Sequence, residues 1–511
     1  MSSTQTSNKR IAKNTLMLYI RMVLVLIVNL YASRLVLKAL GVEDYGLYSV
    51  VGSVVSFLGF LNTSMASAAQ RFLSFAQGRG DENKLNSIFN SIFSVQIILA
   101  VFVLIVFETI GIVYINNYLN VDPSKINEAH FVFQFSVFAF IINVLTVPYN
   151  ASIIANERMD IFALFGIIEV LLKLGVALSL FLFDNHTLII YALLTFGIVF
   201  IIQGLNRWFC RQHFKECKLK RNSIDQATIK EILSYAGWNL FGTFSGVAAN
   251  QGVNMILNSF FGVIVNAARG LSFQVSAAMA QLYTNFQQAL NPQIVKSYAA
   301  GEYNRFYTLI IQGTRLAFFL LFICALPVMF NMKEILELWL GDVPEYTTMF
   351  CILVIINSLF GTVSQSLLRG AMATGKIRKY QIVVSIITLL NLPLSYLALK
   401  IYPDPFITVY IMILLSFAAF VARLILLHQM AGLSIIGFLQ GAIIPIIITT
   451  FLSVGLAIGL DTLLPVTGEI GRMFSRLAIL MLLCCCVVVV FGMRKEERKM
   501  VIIFIKNRIM K

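Results

Sequence analysis

Along the 511 residues, apolar runs of helix length recur from the first turn to the last. A helix-length window places fourteen spans near 14–38, 45–70, 88–119, 129–154, 161–183, 188–209, 232–257, 262–290, 307–330, 347–370, 380–400, 406–428, 437–460 and 472–492. The runs are continuous Leu, Ile, Val and Phe over about 20 residues, unlike the roughly ten-residue alternating segments of a membrane barrel. Because only helices and closed barrels satisfy their backbone in lipid, the pattern predicts an all-α polytopic membrane protein. The pattern is not uniform. Spans three, five, eleven and fourteen are nearly pure aliphatic and Phe. Spans one, two, seven and eight carry "NTSMASAAQR", "WNLFGTFSGVAANQGVN" and "SFQVSAAMAQLYTNFQQALNPQ". Close packing through small residues explains part of that texture. It does not explain Gln274, Gln281, Asn285, Gln287 and Gln288 together, so these spans are expected to face protein or water. Asn250, Gln274, Gln281 and Asn285 are predicted to line a polar cavity.

The polar spans repeat. Shifted by 221 positions, Gly41-Val42 meets Gly262-Val263, Asn29 meets Asn250 and Thr63 meets Thr284. In the same frame Leu73 meets Ile294, Gly80-Asp81 meets Gly301-Glu302, and Lys84 meets Arg305. Six spans separate the copies, which makes the repeat parallel about an axis along the membrane normal. The organisation read from this is an N-lobe of spans 1–6 (1–206), a basic cytoplasmic linker (207–231) and a C-lobe of spans 7–12 (232–428). Spans 13–14 and a basic cytoplasmic tail (429–511) follow. Two six-span lobes facing one another would enclose a central cavity.

Composition agrees: 59% of residues are hydrophobic and 12% charged, with a mean hydropathy of +0.83. The net charge of +15 is mostly topology. About 27 of the 39 Lys and Arg fall in loops on the side of the termini, among them "RWFCRQHFKECKLKR" and "MRKEERKM", and five on the other. By the positive-inside rule both termini are cytoplasmic, the expected location is the cytoplasmic (inner) membrane, and no nucleic acid is needed as a partner. The N-terminal basic segment leads into an apolar run too long for a cleaved signal, and reads as a retained span. Seven cysteines without CxxC spacing and four scattered histidines predict no metal site. With no Walker A, HExxH or triad spacing, no cofactor and no catalytic residue is expected, and the chain reads as a non-enzyme.

Seven bases remain inside spans: Arg21, Arg34, Lys173, Arg269, Arg315, Arg423 and Arg476. Snorkelling toward a nearby span end accounts for Arg34, Arg423 and Arg476. Lys173 has Glu169 one turn earlier, an i,i+4 pair. Arg21 and Arg269 have no acid at i±3 or i±4, and lie on spans one and eight, in the leading pairs of the lobes. Holding a guanidinium there costs about 3 kcal/mol on insertion scales. Arg71, at the inner end of span two, joins them. Against these, only Glu108 and Glu169 lie within spans, so the cavity is expected to be positive and to favour an anion, with phosphate or diphosphate suited to Arg.

Residues 34–81 ("RLVLKALGVEDYGLYSVVGSVVSFLGFLNTSMASAAQRFLSFAQGRGD") and 265–302 ("VNAARGLSFQVSAAMAQLYTNFQQALNPQIVKSYAAGE") carry a resemblance. They resemble the polysaccharide-transport branch, the Wzx-type O-antigen and capsule flippases, of the multidrug/oligosaccharidyl-lipid/polysaccharide (MOP) exporter superfamily. The resemblance implies movement of an undecaprenyl-diphosphate-linked oligosaccharide from the inner to the outer leaflet without ATP, by alternating access. It implies substrate contact by cavity cations, here Arg21, Arg71 and Arg269, and a setting in lipopolysaccharide or other polysaccharide biosynthesis. Membrane lipids, a polysaccharide polymerase and a ligase are the implied neighbours. No coupling acid aligns. A diphosphate moving outward gains roughly 2.3 kcal/mol per charge per 100 mV of inside-negative potential, a drive that fixed arginines would preserve and a travelling cationic carrier would cancel. A lipid II flippase has the same physics. A cation-coupled multidrug exporter of the same superfamily, which wants membrane carboxylates, and a non-transporting scaffold for polysaccharide enzymes are the other readings.

Overall fold

The structure, a computed structural model, describes residues 3–56, 58–117, 125–183, 185–219, 224–463, 470–494 and 497–498. Residues 220–223 of the basic linker and the tail beyond 498 therefore lie outside the described residues. Among the described residues every regular element is helical. The first six are α1 (Ser3–Ser56), α2 (Gly59–Arg79), α3 (Lys84–Asn117), α4 (Ile126–Ala155), α5 (Met159–Leu182) and α6 (Thr187–His213). There follow α7 (Gln226–Ala299), α8 (Tyr303–Phe330), α9 (Met332–Leu340), α10 (Thr347–Thr374), α11 (Arg378–Ile401), α12 (Ile407–Ala431), α13 (Ile435–Leu460) and α14 (Met473–Gly492).

Eleven of these segments are long and apolar enough to cross a membrane. They coincide with spans one, three to six and nine to fourteen. The other three are two, seven and eight: seven and eight are helical but rich in Asn, Gln, Ser and Gly, and the helix over span two is divided, whereas span one, expected among the polar ones, is apolar enough to cross. Span two differs in one respect from the continuous helix expected over 45–70. α1 ends at Ser56 and α2 begins at Gly59, with Leu58 leaving helical geometry at φ −78°, ψ 1°.

The turns between spans one and two and between seven and eight are single glycines inside long helices. Gly41 sits at φ 78°, ψ 172° and Gly262 at φ 73°, ψ −162°. A side chain would strain a positive φ, so glycine is what permits the chain to reverse within one residue. Gly80 and Gly301, also 221 apart, both take positive φ (69° and 76°) at the opposite helix ends. The repeat seen in sequence is thus a repeat of backbone conformation.

The chain divides into two compact units. The first comprises Met1–Thr243 with Asn291–Gly301, the second Phe244–Leu290 with Glu302–Lys511. In the first, α1 packs on α5, α4 on α6, and α2 on α4. A core around Val51, Val103, Phe107, Phe133 and Val137 joins them. In the second, α10 packs against α8 and α12, with α14 laid on α8; Val253, Leu257, Val265, Phe350 and Val354 form a core. Polar side-chain cross-links join the fourth span to the sixth and the tenth to the twelfth. Gln203 Nε2 donates to Asn143 Oδ1 at 2.7 Å in the first, and Ser416 Oγ to Asn357 Oδ1 at 2.7 Å in the second.

Candidate functional site

Arg269 lies two turns beyond the Gly262 reversal, so its side chain reaches back onto the preceding arm of α7. There NH1 donates to Asn254 Oδ1 at 2.5 Å and NH2 to Asn250 Oδ1 at 3.1 Å. The Phe273 ring lies 4.9 Å from the guanidinium carbon. The residue is 2% exposed, its Nε–H has no partner among the described residues, and no carboxylate lies within ion-pair distance of it. Neutral amides and a ring hold the charge, so the positive charge itself is not cancelled.

The polar stripe of the same helix points elsewhere. Gln274 and Gln281 are exposed and Asn285 half-buried, the last two lying two and three turns on from Gln274 along a common face. Ala268, Arg269 and Ser272 form the buried face. The structure thus brings Asn250 to Arg269 and sets Gln274, Gln281 and Asn285 apart from it. Gln287, read with that group in sequence, is fully buried and donates to Ser366 Oγ at 2.8 Å.

Arg21 rests in a berth made by α5. Phe162, Gly166 and Glu169 share one helical face, with the Phe162 ring 4.6 Å from the guanidinium. A Cβ on Gly166 would stand 2.1 Å from Arg21 Nε. Glu169 bonds Lys173 at 2.7 Å, the pair expected from the i,i+4 spacing, and also lies in electrostatic range of Arg21. The acid that Arg21 lacks on its own helix is therefore supplied by a neighbouring one.

Arg71 is 6% exposed and sits among Phe72, Phe75 and Tyr235, with ring centroids 4.5, 4.7 and 5.6 Å from its guanidinium carbon. Its acid, Glu231 at 3.9 Å, has a side chain 67% exposed and contributes little. Arg34 is exposed. Arg315, by contrast, is 1% exposed and bidentate to Glu497, at 2.5 and 2.6 Å, with Gly441 O at 2.9 Å.

A further cluster in the first unit carried no sequence signal beyond a Glu in a loop. Glu157 holds a positive φ of 58°, rare for a side-chain-bearing residue. Its carboxylate takes Lys296 Nζ at 2.7 Å and Gln293 Nε2 at 2.5 Å, while its carbonyl accepts from Asn14 Nδ2 at 3.1 Å. The start of α1, the turn after α4 and the end of α7 thus meet at one residue. Among the described residues no group of three or more His, Cys, Asp or Glu side chains is placed to hold a metal ion.

No family model matches the chain. It is similar to "Uncharacterized membrane protein EpsK" of Bacillus subtilis (strain 168), at 18% identity over 327 residues. That match spans 64% of this chain and 64% of the relative's length. An outward-facing multidrug resistance MATE family transporter of the MOP superfamily superposes with a TM-score of 0.72 at 11% identity, covering 83% of this chain and 96% of its own. A MOP superfamily transporter from Pyrococcus furiosus Vc1 (DSM3638), described by a reversed polarity of its binding pocket that suggests a different function, gives 0.70 at 12% identity, covering 83% and 96%. The chain therefore has the fold of MATE transporters.

Proposed function

We propose that this membrane transporter carries an anionic lipid-linked cargo, an undecaprenyl-diphosphate oligosaccharide of the O-antigen or capsule type, from the inner to the outer leaflet of the cytoplasmic membrane. Both termini are then cytoplasmic. The observation that carries the proposal is Arg269: fully buried, held by Asn250, Asn254 and Phe273, and uncompensated by any carboxylate among the described residues. Arg71, ringed by aromatics, adds a second poorly compensated guanidinium, and Arg21, half-buried with Glu169 in electrostatic range, adds a third cation. Guanidinium groups in a low-dielectric setting favour phosphate oxygens over cations. The Pyrococcus transporter, whose pocket polarity is described as reversed, gives the same fold a precedent for departure from the usual cargo. Gln274, Gln281 and Asn285 then offer amides to sugar hydroxyls on the exposed stripe. A lipid II flippase is chemically equivalent at the diphosphate.

The second reading is a multidrug exporter. It draws on the fold itself, since a solved neighbour is a multidrug resistance MATE transporter. Proteoliposomes separate the two. Leaflet transfer of an undecaprenyl-diphosphate oligosaccharide by wild type, lost in Arg269→Ala at equal protein levels, supports the flippase. Transport of a cationic dye without lipid transfer supports the exporter. Equal lipid transfer by wild type and variant removes Arg269 from the cargo path.

A further inference from the structure

The second unit encloses a polar cavity of about 110 Å³ between α10, α11 and α12, lined by Ser364, Thr388, Asn391, Ser416 and Arg423, with Met412 among its apolar neighbours. A water needs about 10–15 Å³ measured in this way, so the space holds an ion with several waters but not a lipid headgroup. Its charge is one-sided. The helices 347–374, 378–401 and 407–431 contain no Asp or Glu. The charges that face the nearby Tyr380 hydroxyl are Arg423 and Arg369, both cationic. A metal cation would meet repulsion here.

The donors are arranged for the opposite sign. Arg423 Nε–H is buried with no hydrogen-bond partner among the described residues. Asn391 Oδ1 accepts from Ser395 Oγ at 2.9 Å, which commits the amide oxygen and leaves its NH2 to donate elsewhere. Ser364 contributes a buried hydroxyl. Thr388 and Ser416 are already committed, donating to Val384 O at 2.9 Å and Asn357 Oδ1 at 2.7 Å. Guanidinium is weakly hydrated compared with ammonium, and pairs well with anions in a confined site.

We propose that this cavity binds a small monovalent inorganic anion of the chloride class, held by Arg423, Ser364 and Asn391. The proposal concerns a site inside one unit and is independent of the cargo. The full chain in detergent is exchanged into sodium gluconate, and thermal unfolding is followed as chloride replaces gluconate at constant ionic strength. Wild type and Arg269→Gln are expected to gain midpoint saturably, and Arg423→Gln to stay flat. No saturable rise in wild type, or an equal rise in Arg423→Gln, overturns the proposal. Chloride NMR line broadening gives a second readout should Arg423→Gln fail to fold. Wild type should broaden the line, and filling the cavity with Ser364→Leu or Asn391→Leu should abolish the effect. Broadening unchanged by both fillings overturns the site. Because no lipid cargo is present, failure here leaves the transport reading standing, and failure of lipid transfer leaves this one.

Discussion

Removing the amide that holds Arg269 should expose how much of that residue's burial depends on span seven. In Asn254→Leu, NH1 loses its 2.5 Å acceptor and keeps only the Asn250 carbonyl at 3.5 Å, which lies at the limit of a hydrogen bond. A hydrogen bond to a charged group is worth about 1.5–3 kcal/mol, and leaving a buried charge short of a partner costs at the upper end of that range or beyond. With Arg269 2% exposed, no water replaces the amide cheaply. Asn254→Leu is therefore expected to lose about 2–3 kcal/mol, roughly a 30-fold to 160-fold change in the folded-to-unfolded ratio. Arg269→Met alone leaves two amides without a donor and should lose about 1–3 kcal/mol. The double variant removes charge and amide together, and should be more stable than Asn254→Leu despite carrying one more substitution. Reversible unfolding in mixed micelles, titrated with a denaturing detergent, measures all four proteins. Additive losses, with the double variant the least stable, would refute the reasoning, because contacting partners must couple.

Three further outcomes follow from named contacts. Gly166→Val should drive Arg21 from its berth, since the added Cβ would collide with its guanidinium end; that flexible end can swing away, so the loss should stay near the roughly 0.5–1 kcal/mol of its contact with the Phe162 ring, read as a small fall in melting temperature. Glu497→Gln strips the carboxylate from Arg315, a pair with side chains 1% and 9% exposed, at an expected cost of about 3–5 kcal/mol; protease cleavage after α14 should accelerate in parallel. Asp225 caps α7 through Thr228 Oγ1 at 2.5 Å and the amides of Ala227 and Thr228, and these bonds, led by the Thr228 hydroxyl, hold its carboxyl below the usual range. A lowered carboxylate stabilises above its unfolded value and ceases to as pH falls through its folded one. Hydrogen exchange in the first turn of α7 should thus differ between wild type and Asp225→Ala at neutral pH, and converge in acid.

Much of the fold was legible because its signals are local. The apolar runs mark their own helices, and Gly41, Gly80, Gly262 and Gly301 announce their turns through a conformation few other residues tolerate. Lys173 and Glu169 are neighbours on one helix. What the sequence concealed lies across helices. Arg21 is served by Gly166 and Glu169 on a helix about 140 residues away, and Arg315 by Glu497 at a separation of 182 residues. Reading i±4 searches only a residue's own helix. Arg269 has no acid within one turn on its own helix, and its partners are amides 15 and 19 residues upstream. Span two reads as unbroken in the sequence because the lone Gly59 beside Leu58 lies inside an apolar run, where an isolated glycine is a weak break signal.

The glycine reversals bear on how the protein reaches its membrane. Spans seven and eight carry Asn250, Asn254 and Arg269 and are joined by one residue rather than a loop. Arg269 enters hydrocarbon at tolerable cost only with Asn250 and Asn254 beside it. Spans seven and eight should therefore leave the translocon as one hairpin, not in succession. A nascent chain halted between them should stay unintegrated until Arg269 and its two asparagines have all emerged.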